Sequence, residues 1–364
     1  MLEGLRIIEA EGLGPAPFTG MMLADMGADV IVVHRRQADS APGKTERNLL
    51  DRGKRSIVLD LKNPGDIGTF KRLVSTADGL IEGFRPGVME RLGVGPDDLF
   101  KVKSRLVYGR MTGWGQTGPR APQAGHDLNY IAASGALWYA SPPGQPPFAP
   151  PTLVGDIGGG ALYLVAGMLA GILRAQRTGE GAVVDAAMVD GSAHMMNLLL
   201  SLQDTGLLSF ERGQSMLDGP HWSRCYACSD EQWLSVQCLE PKFYAIFLEK
   251  LGLSKEPAFA DQFNMNAWPN LAARLSGIFA AKPLSHWATL FEGSDACVVP
   301  VNSPESASND PHVAARGIWC APHGRLQARA APRFDEEPPR DPQPSPFRGE
   351  HTTEILSELE EGGD

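Results

Sequence analysis

The chain has 364 residues, 43% of them hydrophobic and 21% charged, which is enough for two domains and a large core. Its net charge of −10 excludes wholesale binding to nucleic acid, and an anionic ligand needs a local basic pocket within that field. Five cysteines, odd in number and irregular in spacing, exclude a disulfide scaffold and point to a reducing, cytoplasmic setting.

The first residues hold no charged leader followed by an apolar block, so no secretory signal is expected. The longest apolar run, Ala161 to Leu173, is shorter than a bilayer span, and no membrane partner is expected. Cys225 and Cys228 have no second pair at zinc-ribbon spacing, so they read as ordinary buried thiols and no metal is expected.

In chain order, Leu5 to Ala10 reads as a strand, Gly12-Leu13-Gly14-Pro15-Ala16-Pro17 as a turn, and the run to Met26 as a helix stopped by Gly27. Val30 to Val33 is a second strand. This βαβ order predicts a parallel sheet. A nicotinamide oxidoreductase is disfavoured, because the turn lacks the third glycine and the second strand ends in His34-Arg35-Arg36 rather than an acid. A basic segment follows, with Lys44, Arg47, Arg52, Lys54 and Arg55, which fits either a solvated loop or contacts to phosphates.

Further strands are expected at 56–60, 79–82, 105–111 and 182–186, with helices at 64–77 and 161–177. Arg85 and Arg91 lie beyond the carboxyl end of the 79–82 strand, where parallel sheets bind ligands. Met188, Met195 and Met196 read as core or as an adaptable apolar surface. From Trp222 the pattern becomes a hairpin turning at 229–232. Helices near 242–251, 270–281 and 284–292 and a strand at 295–301 follow, which is a smaller α+β domain. Residues 321–348 are proline-rich and read as extended, ahead of a short terminal helix.

Chemistry concentrates between Gly125 and Gly160. Gly125-His126-Asp127 offers an imidazole beside a carboxylate. Gly155-Asp156-Ile157-Gly158-Gly159-Gly160 offers a carboxylate in a glycine-rich turn opening an apolar helix. These read as two acid/base groups facing one carbon from opposite sides, with backbone N–H groups of the Asp156 to Gly160 turn as oxyanion donors. Each acid also fits a plainer role: Asp127, Asp156 and Glu240 are all placed where helix N-caps occur.

The Leu23-Ala24-Asp25-Met26-Gly27-Ala28-Asp29-Val30 run, Ile81 to Gly87, Met111 to Gly118, Gly125 to Tyr130, Leu153 to Gly160, Val184 to Gly191, Met216 to Gly219, Leu239 to Tyr244 and Asp295 to Val301 form a series. By that series the chain resembles the class III coenzyme A transferase superfamily (CaiB/BaiF type), and within it the α-methylacyl-CoA racemases. The resemblance implies an α/β fold with a Rossmann-like large domain, a parallel sheet and a smaller α+β domain. It implies an interlocked homodimer and an acyl-CoA partner. The boundaries expected are 1–200 and 315–364 for the large domain, 217–314 for the small one and 201–216 as linker.

The resemblance also implies that His126, Asp156 and Glu240 carry the proton transfers, with Glu240 steadying the imidazole, and that Arg35, Arg91 and Arg85 contact coenzyme A. No further cofactor is implied, since the substrate carries the coenzyme. Two departures stand out: Gly219-Pro220-His221-Trp222-Ser223 is shortened beside the expected acyl pocket, and His34 replaces a frequent acid. Two rivals stand beside it: a CoA-transferase of the same fold in which Asp156 attacks the thioester, and, of a different class, a catalytically idle acyl-CoA binding protein. The histidine of Gly125-His126-Asp127 favours the racemase over the transferase, because transferases of this superfamily usually lack it.

Overall fold

The computed structural model describes residues 1–36, 47–335, 338 and 340–362. Lys44 lies outside these residues. The chain divides into two compact units, Met1–Gly135 with Pro150–Met195 and His312–Asp364, and Ala136–Ala149 with Met196–Pro311. The loop Ala136–Ala149 and the stretch expected as a linker both belong to the second unit. In it Trp138 Nε1 donates to Phe210 O at 2.9 Å, and Arg212 Nη2 donates to Ser141 O at 2.6 Å.

The large unit is built on strands β1 (Arg6–Ala10), β2 (Asp29–His34), β3 (Arg55–Val58), β4 (Gly79–Glu82), β5 (Val107–Thr112) and β6 (Ala182–Ala187). They form one six-stranded sheet in the order β3-β2-β1-β4-β5-β6, and every pairing is parallel. The central strands read as unbroken apolar runs because both faces are covered. Period-two alternation divides them. Ile8, Ile31, Leu80 and Tyr108 join one core with Phe70, Leu73, Leu99 and Ile355. Ile7, Val30, Ile81 and Val107 join the other with Leu23, Leu164, Met168 and Ile172.

Helix α1 (Pro15–Asp25) starts on proline, whose missing N–H costs nothing at that position. Helix α2 (Pro64–Thr76) is capped by Asn63, whose side chain accepts from the Gly65 and Asp66 N–H groups. Short helices α3 (Val88–Arg91) and α4 (Pro96–Val102) follow β4, and α5 (Asp127–Ser134) follows β5. The free edge of β3 is closed by the far end of the chain. Gly349 N donates to Ser56 Oγ at 2.7 Å, His351 N to Ser56 O at 3.0 Å, and Ser56 N to His351 Nδ1 at 3.2 Å. The terminal helix Thr352–Glu361 then sends Ile355 and Leu359 into the core.

The glycine-rich stretch is not a turn. Leu153–Ala161 is a π-helix, rare in itself and often found at functional sites, entered through Thr152 at φ 61°. It continues directly into α6 (Leu162–Thr178), which ends at Gly179. Together they make one helix of 26 residues, long and apolar enough to cross a bilayer, whereas the sequence shows only a shorter run. It serves as a core helix. Leu164, Met168 and Ile172 are buried against the sheet, and Gly109 leaves room for Met168, whose Sδ would lie 2.6 Å from a Cβ there.

Helix α7 (Met188–Met195) packs on the π-helical run through glycines. A Cβ at Gly191 would sit 1.9 Å from the Gly159 carbonyl oxygen. Gly191→Ala is therefore expected to destabilise the fold by about 1–3 kcal/mol, read as a lower midpoint in chemical denaturation.

In the small unit, a short helix α8 (Asn197–Leu200) precedes β7 (Ser223–Ala227), β8 (Trp233–Gln237) and β9 (Val298–Pro300), which form an antiparallel sheet. One face is open: Trp233 and Val299 are exposed. Leu234 and Val236 point the other way, into an aromatic core. That core includes Phe247 on α9 (Pro241–Lys250), Trp268 and Phe279 on α10 (Trp268–Phe279), and Trp287 on α11 (Leu284–Phe291). All five thiols are free; Cys228 is buried there, whereas Cys225 is exposed, against the reading of both as buried.

Candidate active site

The strand order reverses between β1 and β4, and open parallel sheets bind ligands at the carboxyl ends beside such a reversal. A cavity of about 350 Å³ lies there. Its walls come from the segments that follow four strands: Gly14 and Pro15 after β1, Phe84 and Arg85 after β4, Trp114 after β5 and Met188 after β6. His126, Tyr130 and Asp156 complete it.

Helix α5 presents the imidazole. His126 is its N-cap residue, with extended backbone (φ −138°, ψ 173°). Its N–H donates to Asn129 Oδ1 at 3.0 Å, and Asn129 N–H donates back to His126 O at 2.8 Å. This reciprocal pair fixes the backbone that carries the ring. Tyr130 braces the preceding turn: its hydroxyl donates to Gly125 O, and its ring stands edge-on to Trp114 at 4.8 Å. A Cβ at Gly113 would fall 2.0 Å from Tyr130 Cζ, so only glycine admits this ring.

Asp156 sits in the first turn of the π-helix, half-buried. It is not a helix cap; Thr152 holds that place. Gly14, at φ 63°, lies against Asp156: a Cβ on Gly14 would be 3.7 Å from Asp156 Oδ2. The turn that a dinucleotide fold gives to a pyrophosphate thus faces a carboxylate, which would repel that group. Burial pushes the Asp156 carboxyl up to about 6, the Asp127 charge adds to the rise, and His126 opposes it. Burial also raises the Tyr130 hydroxyl; the Asp156 charge adds to this and Arg85 opposes it.

The sequence reading of the oxyanion donors needs correction. The Gly155 and Asp156 N–H groups donate to Asp127 Oδ1 at 2.7 and 2.8 Å, and the Ile157 N–H to Thr152 O at 3.3 Å. Those of Asp156 and Ile157 are thus occupied. Asp127 is not a cap either. It is the first residue of α5, buried, with its side chain turned to the π-helix.

Of the arginines, Arg85 lines the cavity. The Arg35 guanidinium lies over the Phe84 ring at 5.4 Å, flanking the same wall. Arg91 ends α3, exposed, with Nη1 3.1 Å from a Cβ built on Gly87. Glu240 belongs to the small unit, where it stands at the N-cap of α9, and its carbonyl accepts the Phe243 and Tyr244 N–H groups.

Most of the basic segment does not face a ligand. Arg52 pairs with Asp25 at 2.5 Å, Lys54 with Glu9 at 2.6 Å, and Arg55 with Asp29 at 2.7 Å. Arg47 lies over Phe347 at 4.0 Å. His34 is likewise internal: Nδ1 is 2.7 Å from Ser56 Oγ and Nε2 3.3 Å from Asp51 Oδ2. The shortened segment at 219–223 is part of the small unit's core. His221 Nε2 lies 2.8 Å from the Tyr244 hydroxyl, and Trp222 Nε1 donates to Gln262 O at 3.0 Å.

A cavity at the sheet reversal thus carries an imidazole and a half-buried carboxyl in its wall, on a Rossmann-like unit. The chain belongs to CoA-transferase family III, whose profile matches residues 2–352. It is 39% identical over 367 residues to the human alpha-methylacyl-CoA racemase, covering 98% of this chain and 93% of that one. It is 30% identical over 333 residues to the acetyl-CoA:oxalate CoA-transferase of Acetobacter aceti, covering 87% and 84%. A solved CAIB/BAIF family protein from Brucella suis superposes with a TM-score of 0.81 at 25% identity, over 98% of each chain.

Proposed function

We propose that the protein is a racemase that interconverts (R)- and (S)-2-methylacyl-CoA thioesters by 1,1-proton transfer. The observation that carries this reading is the presence of His126 and Asp156 in the wall of one cavity, with Asp156 pushed up to about 6. An imidazole can both give and take a proton. A base near neutrality can take the C2 proton on one face while an acid near neutrality delivers one on the other. The intermediate is an enolate, whose oxygen needs fixed donors. The first two N–H groups of α5, those of Asp127 and Leu128, have no acceptor among the described residues, and helix N-termini leave such groups to ligands. They suit that oxygen better than the occupied π-helical amides.

Glu240 is assigned the support of the charged imidazole. The reading asks for no cofactor beyond the coenzyme A of the substrate, a cytoplasmic setting and a homodimer. Large exposed apolar side chains on the small unit, such as Phe148, Leu198 and Phe210, are what a self-associating chain would cover. Arg35, Arg91 and Arg85 are assigned to the coenzyme. Charge reversal of any one to glutamate is expected to weaken coenzyme A binding at least about tenfold in a low-salt titration, an effect of about 1.4 kcal/mol. Unchanged affinity removes that residue from the assignment.

The test of the activity is C2 exchange. One enantiomer of a 2-methylacyl-CoA is incubated with the protein in heavy water, and deuterium at C2 and chirality are followed together. Deuterium uptake with appearance of the other enantiomer, and no added carboxylate, supports the racemase. Coenzyme A moving to an added carboxylate without C2 exchange overturns it in favour of a transferase with Asp156 as nucleophile.

A further inference from the structure

The two acid/base groups lie on different elements, His126 at the start of α5 and Asp156 inside the π-helix. One side chain joins them. Asp127 follows His126 directly, and its Oδ1 accepts both the Gly155 and the Asp156 N–H, at 2.7 and 2.8 Å. Its burial makes this a dry, charge-assisted pair of hydrogen bonds. Nothing bulkier than glycine fits beneath it, since a Cβ at Gly155 would lie 2.7 Å from Asp127 Oδ1. The bonds reach two N–H groups in the first turn of a helix, which have no intrahelical acceptor of their own.

We infer that Asp127 is the positioning residue of the site, a clamp that sets the spacing of His126 and Asp156 by tying the helix of one to the dipeptide of the other. Its catalytic meaning rests on the racemase reading above; the clamp itself does not. The groups that act on Asp156 are few. From α5 come His126 and the Asp127 charge, and Tyr130 and Arg85 share the cavity wall. Helix α1 brings no titratable group before Asp25, which is held by Arg52. The titratable groups of α7 act elsewhere: Asp190 is a like charge that raises Asp185, and His194 Nδ1 lies 2.6 Å from the Tyr163 hydroxyl. Asp127 is thus the negative neighbour of Asp156, and clamp and charge can be separated by substitution.

Asp127→Asn keeps an acceptor oxygen and removes the charge; Asp127→Ala removes both. Amide hydrogen exchange at Gly155 and Asp156 reads the clamp without any substrate. Protection is expected to fall at least about tenfold in Asp127→Ala and to stay near wild type in Asp127→Asn. The pH titration of the Asp156 carboxyl, followed by carbon NMR, is expected to move down by about one unit in Asp127→Asn. For the C2 exchange reaction, Asp127→Ala is expected to lose about a hundredfold in kcat with little change in KM. Asp127→Asn is expected to keep most of the rate while its acid limb shifts down with the carboxyl. Unaltered protection in Asp127→Ala, or an unmoved Asp156 titration in Asp127→Asn, overturns the inference. If wild type shows no C2 exchange while the amide and carboxyl results hold, the racemase reading fails and the clamp stands. If Asp127→Ala does not fold, Asp127→Asn decides by its carboxyl titration and acid limb.

Discussion

Asp156→Asn is expected to lower racemisation, read as appearance of the other enantiomer, by about a thousandfold while leaving the affinity for coenzyme A within about twofold of wild type. The amide keeps the volume and the backbone bonds to Asp127, and it can neither take nor give the proton. Binding is spared because the basic groups assigned to the coenzyme, Arg35, Arg85 and Arg91, stand on other segments of the chain. In wild type the rate should fall as the pH drops below about 6, where the Asp156 carboxyl becomes fully protonated and no longer serves as a base. That limb belongs to the coupled pair with His126 rather than to either group alone. Racemisation in Asp156→Asn at more than a tenth of the wild-type rate would assign Asp156 a structural role. Lost coenzyme binding would do the same.

The second large effect is on stability. Lys54→Met is expected to cost about 3–5 kcal/mol at pH 7, because it leaves buried carboxylates without their cation. Lys54 Nζ donates to Glu9 Oε2 at 2.6 Å and to Pro17 O at 3.1 Å, and lies 3.4 Å from Asp51 Oδ1. Glu9 is fully buried, and Gly20 makes space for it, since a Cβ there would be 1.8 Å from Glu9 Oε2. Burial already raises the Glu9 carboxyl to about 7, with Lys54 holding it down and Asp51 pushing it up. A carboxyl raised in the folded state favours the fold at low pH and loses that contribution as the pH climbs through the folded value. Without Lys54 the folded value rises further, so the loss caused by the substitution must be larger at pH 8 than at pH 6. Urea unfolding at the two pH values checks both size and sign. An equal loss at both would mean that Glu9 stays protonated throughout.

These two cases also separate what is legible in the chain from what is not. The six parallel strands are legible because buried strands are short apolar runs bounded by turn residues. His126 and Asp156 are legible because each stands in a short motif rich in glycine. Lys54 and Arg55 are not: a run of charge reads as solvent-facing, while their partners Glu9, Asp29 and Glu358 are scattered over the chain. His34 misleads for the same reason, its partners Asp51 and Ser56 lying well beyond it in sequence. The π-helix has no local signature either. Glycines ahead of an apolar helix read as a turn, and what holds them helical includes Asp127, 28 residues before Gly155. Arg85 and Arg91 lie six residues apart after β4, and only the fold shows which of them lines the cavity.

The closure of the β3 edge has a consequence for how the chain is made. Ser56 waits for Gly349, 293 residues further on. At a synthesis rate of about 5–20 residues per second, β3 leaves the ribosome about 15–60 s before its covering segment exists. Through that interval the nascent sheet offers an unpaired edge, the feature that invites association with other chains. A stretch translated late is therefore the one that seals the first sheet begun. A ribosome stalled before it would hold a product with most of its core formed and its most adhesive border open.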